Sequence, residues 1–128
     1  IFDPIKNEMF YAERNEGAYY NNHRIRVSKK INLSECLFAS NQKGSEISKL
    51  NCRVTGSAAL DLAYVGSGRF DGYFQKNLNI WDLAAGILIV KEAGGKLNKL
   101  DLTNHTKLNV LASSEVIFEK ITKIVDNF

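Results

Sequence analysis

The chain has 128 residues, of which 45% are hydrophobic, and this predicts one globular domain with a buried core. Its net charge of +3 comes from 17 basic and 14 acidic residues spread along the whole sequence, which argues against a clustered nucleic-acid-binding patch. Every apolar segment is shorter than the ~18 residues that a membrane-spanning helix requires.

The first residue and the two cysteines bear on whether the chain is truncated and on its cellular location. Residue 1 is Ile, and the first methionine is Met9, inside a predicted strand, so we expect a chain truncated at its N-terminus. Cys36 and Cys52 are not closely spaced and no signal peptide precedes them, which predicts two reduced core thiols. A cytoplasmic location is therefore expected.

The beginning of the chain predicts a small antiparallel meander. Apolar and aromatic runs at residues 9–12 and 18–20 flank the turn-forming residues 15–17, which is the pattern of a β-hairpin. Charged and apolar residues alternate at residues 24–27, which predicts a third, half-buried strand.

After a polar linker at residues 29–34, strands and helices alternate. Residues 36–39 form the continuous apolar run of a central strand, and residues 42–50 are expected to be a short helix or a loop. Ser57 is placed to cap a helix that runs to residue 64 and ends at Gly66 or Gly68. Residues 70–75 alternate as a strand does.

A second helix is predicted to begin near Asp82 and to end at residues 94–95. It is apolar nearly all round, so we expect it to be buried in the middle of a layered fold. Strands are predicted at residues 96–102 and 109–112, and a closing amphipathic helix at residues 114–125. The inward residues of that helix are predicted to be Val116, Ile117, Ile121, Ile124 and Val125. The alternation predicts a layered α/β fold.

Asp82 is the sharpest candidate for chemistry. A carboxylate at a helix N-terminus after a strand and a loop lies where an α/β sheet opens into a ligand crevice. The alternative is an N-cap aspartate that satisfies the first amides of the helix. Trp81 is predicted to be a core residue.

Two further groups are candidates for ligand binding. Gly56, Ser57 and Ala58 open a helix whose free amides attract phosphate or hydroxyl oxygens, and an ordinary helix cap is the alternative. Gln75 lies at a predicted strand end, where its amide meets either a polar ligand or solvent. Asp61 and Asp71 are predicted to serve a helix surface and a turn.

Other site types find no support in the sequence. His23 and His105 have no acidic or cysteine partner at ligand spacing, so neither predicts a zinc site. The chain also has no nucleophile elbow, P-loop or CxxC motif.

Two segments, GSAALDLAYVGSGRFDGYF and WDLAAGILIVKEAGG, strongly resemble the C-terminal signature of the inositol monophosphatase family. The resemblance continues upstream in NEMFYAERNEGAYYNNHRIRVS and downstream in residues 109–128, so it covers essentially the whole chain. It implies the C-terminal half of that family's layered α/β sandwich, with an antiparallel hairpin from the first subdomain and then a mixed sheet flanked by helices. Residues 1–33 would be the meander of a truncated N-terminal subdomain, and residues 34–128 the C-terminal α/β subdomain.

The resemblance also implies an activity. Members of the family hydrolyse phosphate monoesters such as inositol monophosphate with two or three magnesium ions. Asp82 matches the metal-binding aspartate of the WD motif, and Gly56, Ser57 and Ala58 would lie beside the hydroxyls of the substrate. Gln75 stands where inositol-specific members carry a glutamate that contacts an inositol hydroxyl, so a preference for inositol is not implied.

Two metal-binding motifs of the family are missing from this sequence. Pro4 is the only proline and no Asp-Gly-Thr follows it, so the DPxDGT motif is absent, as is the upstream GE motif. A two-metal phosphatase site needs carboxylates on both ions. We therefore expect the intact parent to be an enzyme and this chain alone to be inactive.

The expected partners follow from the meander and from the resemblance. Unpaired strand edges predict a homo-oligomer or a missing N-terminal half as partner, and Arg53 is a candidate for the family's dimer contact. A phosphorylated small molecule is the expected ligand, and nucleic acid is not expected to bind. The alternative function is a non-enzymatic interaction module, because some bacterial relatives are associated with RNA processing and transcription complexes.

Overall fold

The computed structural model describes residues 1–103, 106–125 and 128, and His105 lies outside these ranges. The strands are β1 (Phe2–Asp3), β2 (Glu8–Ala12), β3 (Ala18–Tyr20), β4 (His23–Arg24), β5 (Leu37–Ala39), β6 (Asn51–Arg53), β7 (Gly72–Leu78), β8 (Gly95–Leu97) and β9 (Leu108–Ser114). The helices are α1 (Ala58–Gly66), α2 (Ala84–Glu92) and α3 (Glu115–Ile124), with short 3₁₀ turns at Leu33–Glu35, Ile47–Lys49 and Ile80–Asp82.

Strands β1 to β4 form an antiparallel sheet in chain order, which confirms the predicted meander. The two-residue strand β1 was not predicted. Strand β4 ends at Arg24, earlier than predicted; the Ile25 N–H still donates to the Ala18 carbonyl of β3 at 2.9 Å, and the chain then leaves this sheet. The backbone N–H of Val27 donates instead to the carbonyl of Ala93 at the end of α2, at 3.1 Å.

The other five strands form a mixed sheet in the order β6-β5-β7-β9-β8. Strand β5 runs parallel to both β6 and β7, while β9 is antiparallel to β7 and β8. Helices α1 and α2 pack on one face of this sheet and α3 packs on the other. The predicted layered α/β fold with a mixed sheet flanked by helices is therefore confirmed.

Helices α1 and α2 lie between the two sheets. Their contacts with the mixed sheet include the buried residues Leu62, Val65, Ile87 and Val90. Their opposite faces meet the meander through Ala63, Ile89 and Ala93, against Phe10, Ala18 and Ile25. The order of layers is therefore meander, helix pair, mixed sheet and α3.

Helix α2 is not buried on every side, contrary to the prediction. Gly86 and Val90 are buried, but Ala84, Ala85 and Lys91 are exposed. The two sheets and α1 cover the helix on three sides, and no described element covers the fourth. Trp81 precedes this open side and is 77% exposed, so its assignment to the core was wrong.

One predicted boundary and one predicted buried residue near the C-terminus were also wrong. Strand β8 stops at Leu97, and both the backbone and the side chain of Asn98 then bond to β9; the Asn98 N–H donates to the Leu111 carbonyl at 3.0 Å. Its Nδ2 donates to the Asn109 carbonyl at 2.8 Å, and its Oδ1 accepts from the Leu111 N–H at 2.9 Å. In α3, Val116 is 52% exposed rather than inward, because the buried face of the helix follows Ile117 and its one-turn neighbours.

Arg69 connects the meander to the end of α1. Its Nη1 and Nη2 donate to Oε1 and Oε2 of Glu8 at 2.9 and 2.5 Å. The guanidinium also lies 5.4, 5.0 and 5.0 Å from the ring centroids of Phe10, Tyr20 and Tyr64. The hydrogen bonds from Arg69, and next that from Tyr20, lower the pKa of Glu8 to about 2.

Glu92 fixes the hairpin turn to the end of α2. Its two carboxylate oxygens accept hydrogen bonds from the backbone N–H groups of Asn15 at 3.1 Å and Gly17 at 3.0 Å. These backbone bonds lower the pKa of Glu92. Gly17 has φ of +82°, a left-handed conformation that glycine adopts without the steric cost of a side chain.

The longest of the described helices, α3, has 10 residues. None of the helices in the described ranges is long and apolar enough to cross a lipid bilayer.

Replacing Glu8 with Gln is expected to change the pH dependence of stability. Because the folded-state pKa of Glu8 lies near 2, below its usual value of 4.5, its ion pair stabilises the fold above that usual value. This stabilisation is lost as the pH falls from 4.5 towards 2. Urea unfolding should show Glu8→Gln less stable than wild type at neutral pH, with the difference shrinking across that window. A difference that does not change with pH would contradict the assignment.

Replacing Gly86 with Ala tests the contact between α1 and α2. A Cβ at position 86 would lie 2.6 Å from the Cβ of Leu62, so one of the two helices must shift. We expect the free energy of unfolding to fall by about 1–3 kcal/mol, measured by chemical denaturation. Gly44→Ala is the matched control, because its nearest contact would be an ordinary 3.6 Å to Ile47. Equal stabilities of the two variants would show that the helices are not closely packed.

Candidate functional site

A cavity of about 160 Å³ opens at the end of the mixed sheet where β5 and β6 finish and α1 begins. Its lining comes from these two strand ends, from the start of α1 and from β7: Ser40, Asn41, Val54, Thr55, Gly56, Ser57, Ala58, Asp61, Tyr73, Gln75 and Leu78. Ligands of open α/β sheets bind at such carboxyl ends of parallel strands. The structure thus brings Gly56, Ser57, Ala58 and Gln75 together.

Gly56, Ser57 and Ala58 form the entry to α1. The Oγ of Ser57 accepts a hydrogen bond from the Leu60 N–H at 3.2 Å, so the predicted N-cap is confirmed. Gly56 has φ of +88° with open space where a Cβ would stand, so its backbone conformation, not crowding, favours glycine. Ser57 therefore caps the helix and lines the cavity at once.

Asp61 is buried in this cavity, which corrects its assignment to the helix surface. Its side chain is 4% exposed, and Thr55 Oγ1 donates a hydrogen bond to its Oδ1. Burial raises the pKa of Asp61, and the hydrogen bond from Thr55 opposes that shift. The four-residue spacing from Ser57 was the available signal, because residues i and i+4 lie on the same face of a helix.

Tyr73 links the cavity to Asp82. The Tyr73 side chain is 3% exposed, and its pKa lies well above the ordinary value. Burial is the main cause, and the negative charges of Asp61 and Asp82 add to it. Both carboxylates are therefore close enough to the Tyr73 hydroxyl to act on it electrostatically. Neither the role nor the position of Tyr73 was predicted.

Asp82 does not cap α2, contrary to the N-cap alternative drawn from the sequence, and the helix begins two residues after it. Asp82 ends the 3₁₀ turn Ile80–Asp82, and α2 follows with Leu83 at its N-cap position and no side-chain cap. The Asp82 side chain is exposed and is not part of the cavity lining. Its carboxylate is thus free of a capping role.

The described residues do not make a metal site by themselves. Within residues 1–103, 106–125 and 128, no group of three or more His, Cys, Asp or Glu side chains is arranged to hold a metal ion. A divalent cation such as magnesium requires several oxygen ligands in near-octahedral geometry. Asp82 can therefore contribute one ligand but cannot form the site.

Gln75 lies inside β7 rather than at a strand end, because β7 continues to Leu78 beyond an irregularity in its pairing with β9. Ala39 of β5 is paired with Tyr73, which sets Asn41 opposite Gln75 two residues further on. The backbone N–H of Asn41 donates to Gln75 Oε1 at 3.2 Å. This contact holds the amide at the wall of the cavity.

Asp71 lies in the bend before β7, where a turn was predicted, and it is a second buried carboxylate, 1% exposed. Its Oδ2 accepts from the Leu37 N–H at 2.7 Å and from Lys30 Nζ at 3.3 Å. These bonds fix the start of β5. Asp71 is not among the residues that line the cavity, so it serves the fold.

The remaining candidates lie outside the cavity. Arg53 is exposed at the end of the edge strand β6, and its Nη1 donates to the Cys52 carbonyl at 3.1 Å. Cys36 and Cys52 are free thiols, as predicted, and burial raises the pKa of both. His23 is exposed in β4.

Comparison with known proteins gives consistent matches over the whole chain. The sequence model of the inositol monophosphatase family matches residues 1–127. The fructose-1,6-bisphosphatase/inositol-1-monophosphatase of Thermotoga maritima is 38% identical, over 98% of this chain and 54% of the relative. The Nus factor SuhB of Haemophilus influenzae is 41% identical, over 97% of this chain and 53% of the relative.

Solved structures agree with the sequence matches. The extragenic suppressor protein SuhB of Bartonella henselae superposes with a TM-score of 0.87 at 39% identity, over 98% of this chain and 57% of that chain. The chain spans about half the length of the curated relatives it matches.

Replacing Thr55 with Val tests how the buried Asp61 is held. The variant keeps the shape of the side chain but removes the donor to Oδ1, so the pKa of Asp61 should rise further. We expect a loss of about 1–3 kcal/mol in unfolding free energy, growing as the pH rises through the pKa of Asp61. Carboxyl NMR titration and urea unfolding measure the two effects.

Thr103→Val is the matched control, because the Thr103 hydroxyl donates to an exposed carboxylate, Asp101 Oδ1, at 2.6 Å. Its stability should stay within about 0.5 kcal/mol of wild type. If the pKa of Asp61 is the same in wild type and in Thr55→Val, the Thr55 hydroxyl does not stabilise the Asp61 carboxylate.

Proposed function

Because the chain belongs to the inositol monophosphatase family, we propose that it forms the substrate-binding side of a metal-dependent phosphatase and supplies one of its metal ligands. The observation that carries the proposal is one cavity that collects Gly56, Ser57, Ala58 and Gln75 at the start of α1 and on β7. The substrates are phosphorylated small molecules, inositol monophosphate among them. The backbone amides at the start of α1 and the Gln75 amide bind the part of the substrate that does not react.

The metal is proposed to be magnesium, with Asp82 as one ligand. A metal of this kind supplies charge stabilisation at the phosphoryl oxygens and lowers the pKa of bound water. The described residues offer too few carboxylates to hold it, so the other ligands come from a polypeptide segment outside these 128 residues. The chain alone is accordingly proposed to be inactive.

The exposed surface beside Asp82 supports a partner segment at this place. Trp81, next to Asp82 in the chain, is 77% exposed, and Ala84 and Ala85 of α2 are uncovered as well. Large apolar side chains left in water at a site rim are typical of a protein contact surface. A segment that covers them would bring its carboxylates next to Asp82.

Further proposals accompany this function. The chain consists of a meander unit, residues 1–33, and an α/β unit, residues 34–128. The protein is proposed to be cytoplasmic and to associate with a second copy or with the segment that completes the site. Arg53 is proposed as a contact residue, since it lies exposed on the edge strand β6.

A non-enzymatic interaction module is the second candidate function. The relative from Haemophilus influenzae is named a Nus factor, and the described residues of this chain do not complete a metal site. In that case, the cavity would bind a ligand or partner without turnover.

The deciding experiment compares this chain alone with a fusion that joins it to the amino-terminal part of the Thermotoga maritima relative. With myo-inositol 1-phosphate and magnesium, we expect turnover by the fusion and none by the chain. In the fusion, Asp82→Asn should lower kcat/KM by about 100-fold or more, since a lost metal ligand removes several kcal/mol of transition-state stabilisation.

Asp101→Asn, the same chemical change at an exposed loop residue, should leave the activity of the fusion unchanged. Circular dichroism establishes that each variant is folded. Magnesium-dependent turnover by the chain alone, or full activity of a folded Asp82→Asn fusion, would overturn the proposal.

A further inference from the structure

The strand that leads to Asp82 contains one residue more than its partner strand. Gln75 of β7 is paired with Val110 of β9, and Leu78 is paired with Leu108. Strand β7 therefore advances by three residues where β9 advances by two. This arrangement is a β-bulge, which bends a strand and changes the direction of the side chains that follow it.

Asn77 is the residue that gives the bulge its shape. Its φ is +61°, in the left-handed region that residues other than glycine rarely adopt inside a strand. The Asn77 N–H donates to the side-chain Oδ1 of Asn109, which lies opposite the bulge on β9, at 3.1 Å. The Asn77 side chain is exposed, so the residue shapes the strand through its backbone.

The bulge changes which residues of β7 face the helices. Tyr73, before the bulge, belongs to the core under α1 and α2, and Leu78 and Ile80, after it, pack against the same core. Because successive side chains of a strand point to opposite faces, residues 73 and 78 share a face only when one extra residue intervenes. In a regular strand, Leu78 would instead point to the α3 face, as Phe74 does.

The turn that carries Asp82 starts from these core residues. Ile80 begins the 3₁₀ turn that ends at Asp82, and the Asp82 N–H donates to the Asn79 carbonyl at 3.1 Å. Lys107 Nζ donates to the side-chain Oδ1 of Asn79 at 2.5 Å. The turn is therefore held by Ile80 from the core and by Lys107 from the segment before β9. Its position depends on the face of the sheet to which the bulge directs Ile80.

We propose that Asn77 is a positioning residue for Asp82. Its left-handed backbone, held by Asn109, directs the end of β7 so that the Asp82 carboxylate is presented at the cavity end of the helix pair. This inference rests on the proposed function for the role of Asp82 as a metal ligand, and it adds a residue that fixes this ligand through the backbone. Glycine would serve equally at position 77, because it adopts the same φ, whereas a β-branched residue would not.

The first test is made on this chain with the variants Asn77→Val and Asn77→Gly. In wild type, an NOE is expected between the methyl groups of Leu78 and Leu108, which are paired directly after the bulge. Valine disfavours the left-handed conformation, so this NOE should be lost in Asn77→Val and kept in Asn77→Gly. An NOE that persists in Asn77→Val would overturn the proposal.

Asn15 provides the matched control, because its φ of +65° is nearly the same and it lies in the hairpin turn between β2 and β3. Asn15→Val should lower the urea midpoint of unfolding as Asn77→Val does, but it should leave the NOE between Leu78 and Leu108 unchanged. Loss of this NOE in both valine variants would show a general loss of structure and would count against a local role of Asn77.

The second test measures magnesium binding by calorimetry in the fusion described above. Asn77→Val should weaken binding by about 10-fold, the order of magnitude of the conformational cost of one left-handed residue. Asn77→Gly and Asn15→Val should stay within about 2-fold of wild type. Equal affinity in all four proteins would overturn the positioning role. A wild-type fusion that binds no magnesium would instead count against the proposed function, while the NOE between Leu78 and Leu108 decides the role of the bulge independently.

Asn109 offers a variant that leaves residue 77 in place. Asn109→Ala removes the acceptor of the Asn77 N–H, whereas Asn109→Asp keeps an oxygen there. Hydrogen exchange of the Asn77 amide should be about 5-fold faster in Asn109→Ala than in wild type or Asn109→Asp. Magnesium binding by the Asn109→Ala fusion should weaken as well. Equal exchange rates in all three proteins would show that Asn109 does not hold the bulge.

Discussion

The close packing of α1 against α2 is the constraint on which both the fold and the candidate site depend. Gly86 gives Leu62 room, and Gly66 gives room to Ile89, where an added Cβ would lie 2.8 Å away. Both contacts advance in the same direction along the two helices, so the helices run side by side with their N-termini at one end of the mixed sheet. The residues before α1 line the cavity, and Asp82 precedes α2. Helix packing therefore places the cavity lining and Asp82, the two parts of the candidate site, at the same end of the helix pair.

Much of the fold could be predicted because its signals are local. The hairpin has apolar runs around a turn, and Ser57 caps α1 as its type and position indicate. Strands β1 and β6 were missed, since segments of two or three residues become strands only through their pairing partners. The open side of α2 was missed for a related reason. Hydropathy shows that a helix is apolar, but not how many elements are present to cover it.

The residues of the candidate site that belong to a family motif could be predicted from the sequence. The contacts that depend on the register of the mixed sheet could not. Gly56, Ser57, Ala58 and Gln75 follow from the family resemblance, and they do line one cavity. Asn41 lies 34 residues from Gln75 and meets it only because β5 and β7 are paired in parallel. Asp61 was assigned to a helix surface, and the burial of Asp71 in its turn was not predicted, because neither aspartate shows in the sequence that Thr55 or Lys30 donates a hydrogen bond to it. Contacts between residues so far apart in the sequence cannot be predicted from local sequence patterns.

The contact of Glu92 with the hairpin turn has a consequence for the order of folding. The hairpin can form by itself within microseconds, because its strands are adjacent in sequence. Its attachment must wait, since Glu92 lies 77 and 75 residues from the two amides that it accepts from. Closing a loop of that length costs conformational entropy, and the packing contacts of a formed α2 are needed to offset this cost. The contact of Glu92 is thus expected to form late and to attach the hairpin once the helices between the sheets are in place.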